Sequence, residues 1–228
     1  MTAPLYRWPV GAKFGRVVPK NKFYEHAQVT AGVKKKFVDQ VLRITWAYKL
    51  AEATINLAGT DEVPELQVFQ VDAKNDDVAD VVLAAIDRAV KTPVIFELTR
   101  STADFRQTRM VAAHKDLTAG VLRGGYFTTP WQGFDTEREP LPAAINLSTL
   151  YAALVGTLLP VAARPGEGLS EVTARIEAVR QLEREIGALD RRIRNEPQFN
   201  RKVELRRALR IKQGSLAELM SQTPGTMN

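Results

Sequence analysis

Residues 169–193 read LSEVTARIEAVRQLEREIGALDRRI, and this stretch decides how the C-terminal quarter of the chain folds. Its apolar residues fall at Leu169, Val172, Ile176, Val179, Leu182, Ile186, Leu189 and Ile193. Intervals of three and four mark the seam of an amphipathic helix that packs lengthwise on another helix. Asn195-Glu196-Pro197 breaks the run, and a second one follows with Phe199, Val203, Leu205, Leu209, Leu216 and Leu219. Proline suits the first position of a helix, where its missing N–H has no intrahelical partner to lose. The tail therefore reads as an antiparallel helical hairpin.

The turn and second helix carry a dense set of cations: Arg191, Arg192, Arg194, Arg201, Lys202, Arg206, Arg207, Arg210 and Lys212. Only Glu196 and Glu204 oppose them in that interval. Like charges at this density repel unless an anion or an acidic surface meets them. The competing reading is a solvated coiled-coil face, with Glu171, Glu177, Glu183 and Glu185 of the first helix as partners. The excess of cations favours a docking or nucleic-acid surface.

Upstream of the hairpin, Pro160 to Gly168 has linker composition, and the rest forms a body large enough for a core at 45% hydrophobic residues in 228. The formal charge of +6 is segregated: residues 1–49 hold ten Lys/Arg against Glu25 and Asp39, whereas residues 50–100 are acidic. Cysteine is absent, which excludes disulfides, thiolate metal sites and a cysteine nucleophile. The N-terminus lacks the apolar run of a signal peptide, and Leu147–Leu159 is too short to span a bilayer, so the expected location is the cytoplasm.

Within the body, residues up to about Gln28 read as an extended segment. Thr30 caps an expected helix from Ala31 to Ala51, with Val33, Phe37, Val41, Ile44 and Tyr48 as its stripe. Glu65–Asp72 reads as a strand, Val78–Ala89 as a helix and Pro93–Leu98 as a second strand, an order that suits a parallel crossover. Thr108–His114 and Gly124–Trp131 read as antiparallel strands, and a helix starts at Asn146 or Ser148. The expected fold class is α+β: a mixed four-stranded sheet with packed helices over 1–160, a linker over 161–168 and the hairpin over 169–222.

One arrangement has the pattern of a catalytic site. Asp72-Ala73-Lys74 ends a strand, and restriction-type nucleases place an acid and a lysine so spaced to hold Mg²⁺ and steady the attacking water. Asp61, Glu62 or Glu65 would be the upstream acid. A triplet this short arises often by chance, and an Asn-Asp-Asp turn follows it. Glu97 in an apolar strand reads as half of a structural ion pair or a sheet-edge carboxylate, and His26 and His114 are too isolated for a metal site. Gly124-Gly125 lacks the rest of a phosphate loop and reads as a turn; Trp46, Trp131, Tyr126 and Phe127 read as core aromatics before base-stacking ones.

Several longer runs carry a resemblance. They are Pro19-Lys20-Asn21-Lys22-Phe23-Tyr24, Ile44-Thr45-Trp46-Ala47-Tyr48-Lys49-Leu50, Pro93-Val94-Ile95-Phe96-Glu97-Leu98 and Gln198-Phe199-Asn200-Arg201-Lys202-Val203-Glu204-Leu205. Together they resemble a bacterial family of uncharacterised proteins, a domain of unknown function, over nearly the whole chain. The resemblance implies genes placed beside a DNA helicase and a DNA methyltransferase in restriction or phage-defence clusters. It assigns no reaction and no catalytic residue. The resulting expectation is a non-enzymatic adaptor without cofactor, docked on a helicase or methyltransferase and touching DNA backbone through the nine hairpin cations. The alternatives are a Mg²⁺-dependent nuclease using Asp72 and Lys74, and self-association through the hairpin.

Overall fold

The structure, a computed structural model, describes residues 3–102, 105–117 and 120–221; residue 222, the expected end of the hairpin, lies outside them. The chain divides into two compact units, 1–160 and 161–228. The first is built on a mixed sheet of β1 (Lys13–Val17), β2 (Val41–Leu50), β3 (Leu66–Ala73), β4 (Val94–Ser101), β5 (Arg106–Asp116) and β6 (Val121–Thr128), in that spatial order. A short β7 (Gln132–Gly133) pairs with the start of β5. The class is α+β, but the sheet has seven strands where four are expected, because β1, β2 and β7 were not legible as strands.

The largest departure is at residues 31–51. Helix α2 (Ala31–Gln40) does start at Thr30, whose side chain accepts from the Val33 N–H, but it stops at Gln40 and the chain continues as β2. Two register shifts, between Val41 and Arg43 and between Trp46 and Tyr48, interrupt the pairing of β2 with β3. Each such bulge turns an extra residue out of the alternation. As a result Val41, Ile44, Ala47 and Leu50 are the buried residues of β2, a spacing of three that imitates a helical stripe. The opening segment also differs from expectation: it holds a short 3₁₀ turn at Val10–Ala12, then β1 and helix α1 (Lys20–Ala27).

β3, helix α4 (Asp80–Ala89) and β4 form the parallel crossover, and β4, β5 and β6 continue antiparallel. Apart from the end of β4, residues of both β3 and β4 are covered on both faces, as parallel strands between packed layers are. One face packs Phe69, Val71, Phe96, Leu98 and Val111 against Phe23 of α1, Phe37 of α2 and Val82 and Ile86 of α4. On the other face Glu97 is buried. It accepts from Trp8 Nε1 at 2.7 Å and from both terminal nitrogens of Arg138 at 2.5 and 3.2 Å, which ties the N-terminal segment and the 138–139 strap to the sheet. Gly124 and Gly125, both at φ 73°, lie within β6 beside a register shift and not in a turn ahead of it. A side chain at either position would strain that left-handed backbone.

The crossover helix is fastened by a buried ammonium. Lys115 on β5 donates to the carbonyls of Asp87 (2.5 Å), Val90 and Thr92 (3.3 Å) and to the Asp87 carboxyl (3.3 Å). It thereby caps the C-terminal end of α4, where carbonyls lack intrahelical partners and the helix dipole favours a cation. Tyr126 completes the arrangement by donating to the other Asp87 oxygen at 2.8 Å. A further helix, α5 (Leu147–Gly156), is capped by Asn146 and sends the buried Tyr151 hydroxyl to the Ala113 carbonyl. A short helix, α3 (Glu52–Ile55), follows β2.

The second unit contains helices α6 (Leu169–Asn195) and α7 (Phe199–Met220), the antiparallel pair expected from the sequence. Pro197 stands two residues ahead of α7 and is not its first residue. The 161–168 segment is tied into this unit. Arg164 donates to the carbonyls of Leu219 and Ser221 at the end of α7, and Glu167 takes a two-pronged contact from Arg175 at 2.7 Å. That fork holds the Glu167 carboxyl down to about 2. Among the described residues no helix is long and apolar enough to cross a membrane.

Replacing Lys115 by methionine leaves a buried carboxyl and three carbonyls without their donor. Unfolding in urea is expected to show a loss of about 3 kcal/mol or more, the usual cost of breaking a buried charged pair from one side. Burial pushes the Asp87 carboxyl up to about 6, against the opposing pull of Lys115 and the Tyr126 hydroxyl. The native state then holds a proton on Asp87 between about pH 4 and 6 that the unfolded chain has lost, so this group makes stability fall as pH rises through that window. Asp87→Asn is expected to flatten that part of a stability-against-pH curve, whatever it does to the absolute value.

Candidate functional site

The hairpin cations lie where solvent reaches them. Arg191, Arg192, Arg194, Arg201, Arg206, Arg207 and Arg210 are exposed, and Lys202 and Lys212 are half-buried. Two of the nine have a carboxylate partner: Lys212 meets Glu185 at 2.6 Å across the hairpin, and Arg201 meets Glu196 at 3.6 Å. Both pairs are open to water, where screening leaves such contacts little net value. The other seven have no carboxylate within ion-pair distance among the described residues. The acids of α6 therefore do not neutralise the turn.

The apolar side of the hairpin is also incomplete. Val172, Ile176 and Ile193 are buried on α6, but α7 buries none of its residues. Phe199, Val203 and Ile211, the first two expected in the seam, are 75%, 48% and 63% exposed. Leu205, Leu209, Leu216 and Leu219 are only half-covered. An α-helix of this length draws most of its stability from packing an apolar face, so this face is short of contacts.

The Asp72-Ala73-Lys74 triplet sits at the C-terminal end of β3, beside a cleft of about 650 Å³. The Asp72 carboxylate is occupied: Arg43 donates to it from Nε at 2.8 Å and holds a terminal nitrogen 2.8 Å away in an ion pair, and Gln70 donates at 3.3 Å. Lys74 Nζ donates to the Val38 carbonyl at 2.6 Å, at the end of α2. Glu65 precedes β3 and pairs with Lys49 at 2.7 Å. It stands seven residues ahead of Asp72, roughly 23 Å at the usual strand rise. Asp61 lines a different hollow with Glu65 and Glu52. Glu62 accepts from the Ser148 hydroxyl at 3.4 Å, none of these three acids lines the cleft at Asp72, and no group of three or more His, Asp or Glu able to hold a metal occurs among the described residues.

The aromatics divide. Trp46, expected on a helix, lies on β2, stacked on Phe69 and donating to Gln67 at 2.9 Å. Trp131 carries the guanidinium carbons of Arg100 and Arg109 at 4.3 and 4.8 Å from its ring, and Arg106 lies 3.6 Å over Phe134. These cation–aromatic contacts have no local sequence signal, since their partners stand more than twenty residues apart in the chain.

Fold and site define an α+β body whose chain continues into a cationic helical hairpin. Over residues 7–216 the chain matches the family described as a domain of unknown function (DUF4391), and it belongs to that family. No curated protein and no solved structure matches it.

Because Arg206 and Arg207 are exposed and have no carboxylate partner among the described residues, reversing both to glutamate is expected to leave unfolding stability within about 0.5 kcal/mol. A larger loss in a urea titration would mean that these arginines serve the fold.

Proposed function

We propose that this protein is a non-enzymatic adaptor of a DNA-related assembly, in which the hairpin meets an anionic partner. One observation carries the reading: seven cations at the end of α6 and on α7 meet no carboxylate among the described residues, and α7 buries none of its own residues. Arginine dominates the set, and its planar fork grips phosphate or carboxylate through two parallel hydrogen bonds. The exposed Phe199, Val203 and Ile211 beside these arginines fit a protein partner that adds an apolar strip to the polar contact. The resemblance noted in the sequence points to a helicase or a DNA methyltransferase as that partner, within restriction or phage defence. DNA contact through the cations would go to phosphates, hence be weakly sequence-specific and steeply dependent on salt.

Self-association is the second reading, favoured by the half-covered leucines, since two such hairpins would complete a four-helix bundle. Light scattering over a concentration series separates it from the first.

The decisive experiment titrates a labelled DNA duplex at 50 and 200 mM salt, with the intact protein and with Arg206→Glu/Arg207→Glu. The intact protein is expected to bind, and to lose affinity at least tenfold at the higher salt. The variant is expected to bind at least tenfold more weakly at low salt. Equal binding by the two proteins would remove the hairpin from DNA contact.

A further inference from the structure

The cleft at the C-terminal ends of β3 and β4 lies within the first unit and is separate in its residues from the hairpin. These two strands are the parallel pair of the sheet, joined by the α4 crossover. In α/β sheets the crevice outside the carboxyl ends of parallel strands is where ligands bind, because side chains from adjacent strand ends converge there. At about 650 Å³ the cleft has the size of a small-molecule site.

Its lining is cationic. Among the described lining residues Arg43, Lys74 and Arg106 contribute three positive charges against the one acid Asp72. Asp77, in the loop that follows, is already engaged by Arg109 at 2.6 Å. Asp72 holds Arg43 through Nε and one terminal nitrogen, which leaves the other terminal nitrogen's hydrogens available. Lys74 spends one of its three N–H groups on Val38. The Arg106 guanidinium carbon lies 3.6 Å from the centre of the Phe134 ring, a contact that spends none of the guanidinium's N–H donors. Thr99 and Ser101 add hydroxyls from the end of β4.

The backbone is shaped to present these groups. The bulge in β2 sets Leu42 and Arg43 together opposite Asp72, so that both consecutive residues are exposed where a regular strand would bury one. Bulges commonly re-aim side chains in this way beside a ligand site. Leu42, 64% exposed, then supplies an apolar wall next to the cations.

We infer that this cleft binds a nucleotide phosphate, with Arg43, Lys74 and Arg106 on the phosphoryl oxygens and Leu42 against the sugar or base. Asp72 is a positioning residue that fixes Arg43. The nucleotide can be free or can be the 5′ end of a strand, and the test distinguishes the two. Calorimetric titrations would use ATP, inorganic phosphate and a 5′-phosphorylated single-stranded 12-mer beside its unphosphorylated twin. The protein would be the full chain carrying Arg206→Glu/Arg207→Glu, so that the hairpin cannot supply the signal and failure of the adaptor reading leaves this result readable.

Saturable one-to-one binding of ATP or of the phosphorylated 12-mer, weakened at least fivefold by Lys74→Glu and at least fivefold by Arg106→Glu, is the expected result. Binding of ATP assigns the cleft to free nucleotide; binding of the 12-mer only when phosphorylated assigns it to a strand end. Absence of saturable binding by ATP and by the phosphorylated 12-mer overturns the inference, and so does a smaller loss in either variant. If a reversal lowers the folded fraction by circular dichroism, Lys74→Gln or Arg106→Gln takes its place under a twofold criterion.

Discussion

A lysine ammonium that has left water must find oxygens, and in this protein the end of α4 supplies them. Lys115 reaches from β5 to the last carbonyls of that helix and to the Asp87 carboxyl, while Tyr126 reaches the same carboxyl from β6. Two antiparallel strands are thus fastened to the helix that connects the parallel pair. The position of α4 sets the course of the β3–α4–β4 crossover, and the crossover brings the ends of β3 and β4 side by side. Asp72 and Thr99 are register partners for that reason. The cleft at these strand ends therefore depends on a polar contact buried well inside the body.

Much of this was legible because the relevant signals are local. The β3–α4–β4 segment was readable from runs of β-branched residues around a strongly amphipathic helix, and the caps Thr30 and Asn146 from their position alone. β2 was not readable, for a specific reason. Its two bulges convert a period of two into burial at every third residue, and Val41, Ile44 and Ala47 then continue the stripe begun by Val33 and Phe37 on α2. Composition held the counter-signal: Val41, Ile44, Thr45, Trp46 and Tyr48 are strand formers, and five of them in eight residues weigh against a helix.

The candidate sites were legible to different degrees. A surplus of arginine is visible in any sequence, but whether carboxylates elsewhere cancel it depends on packing. Glu185 reaches Lys212, whereas no α6 acid reaches Arg206, Arg207 or Arg210. At Asp72 the outcome was reversed. The triplet was visible, but the partner that defines its chemistry is Arg43, twenty-nine residues away in the chain and brought opposite by strand pairing. A carboxylate already bound by a guanidinium is a poor metal ligand and a good anchor for that guanidinium. The same triplet that suggests a nuclease in the sequence thus forms part of a cationic cleft in the fold.

The hairpin poses the last physical problem. α7 runs for 22 residues and buries none of them, with Phe199 and Ile211 largely in water. Isolated helices gain little from propensity and need tertiary contacts to persist, so such a helix is marginal unless something covers it. Four half-covered leucines hold it to its neighbours, and Arg164 at its last carbonyls and Lys212 on Glu185 add only polar contacts of small net value. Mutual repulsion among the arginines works against even this. Unpaired cations and bare apolar residues on one helix are each unfavourable alone, and both are relieved by a single surface that is acidic and partly apolar. That coincidence favours an external partner over a hairpin that stands free.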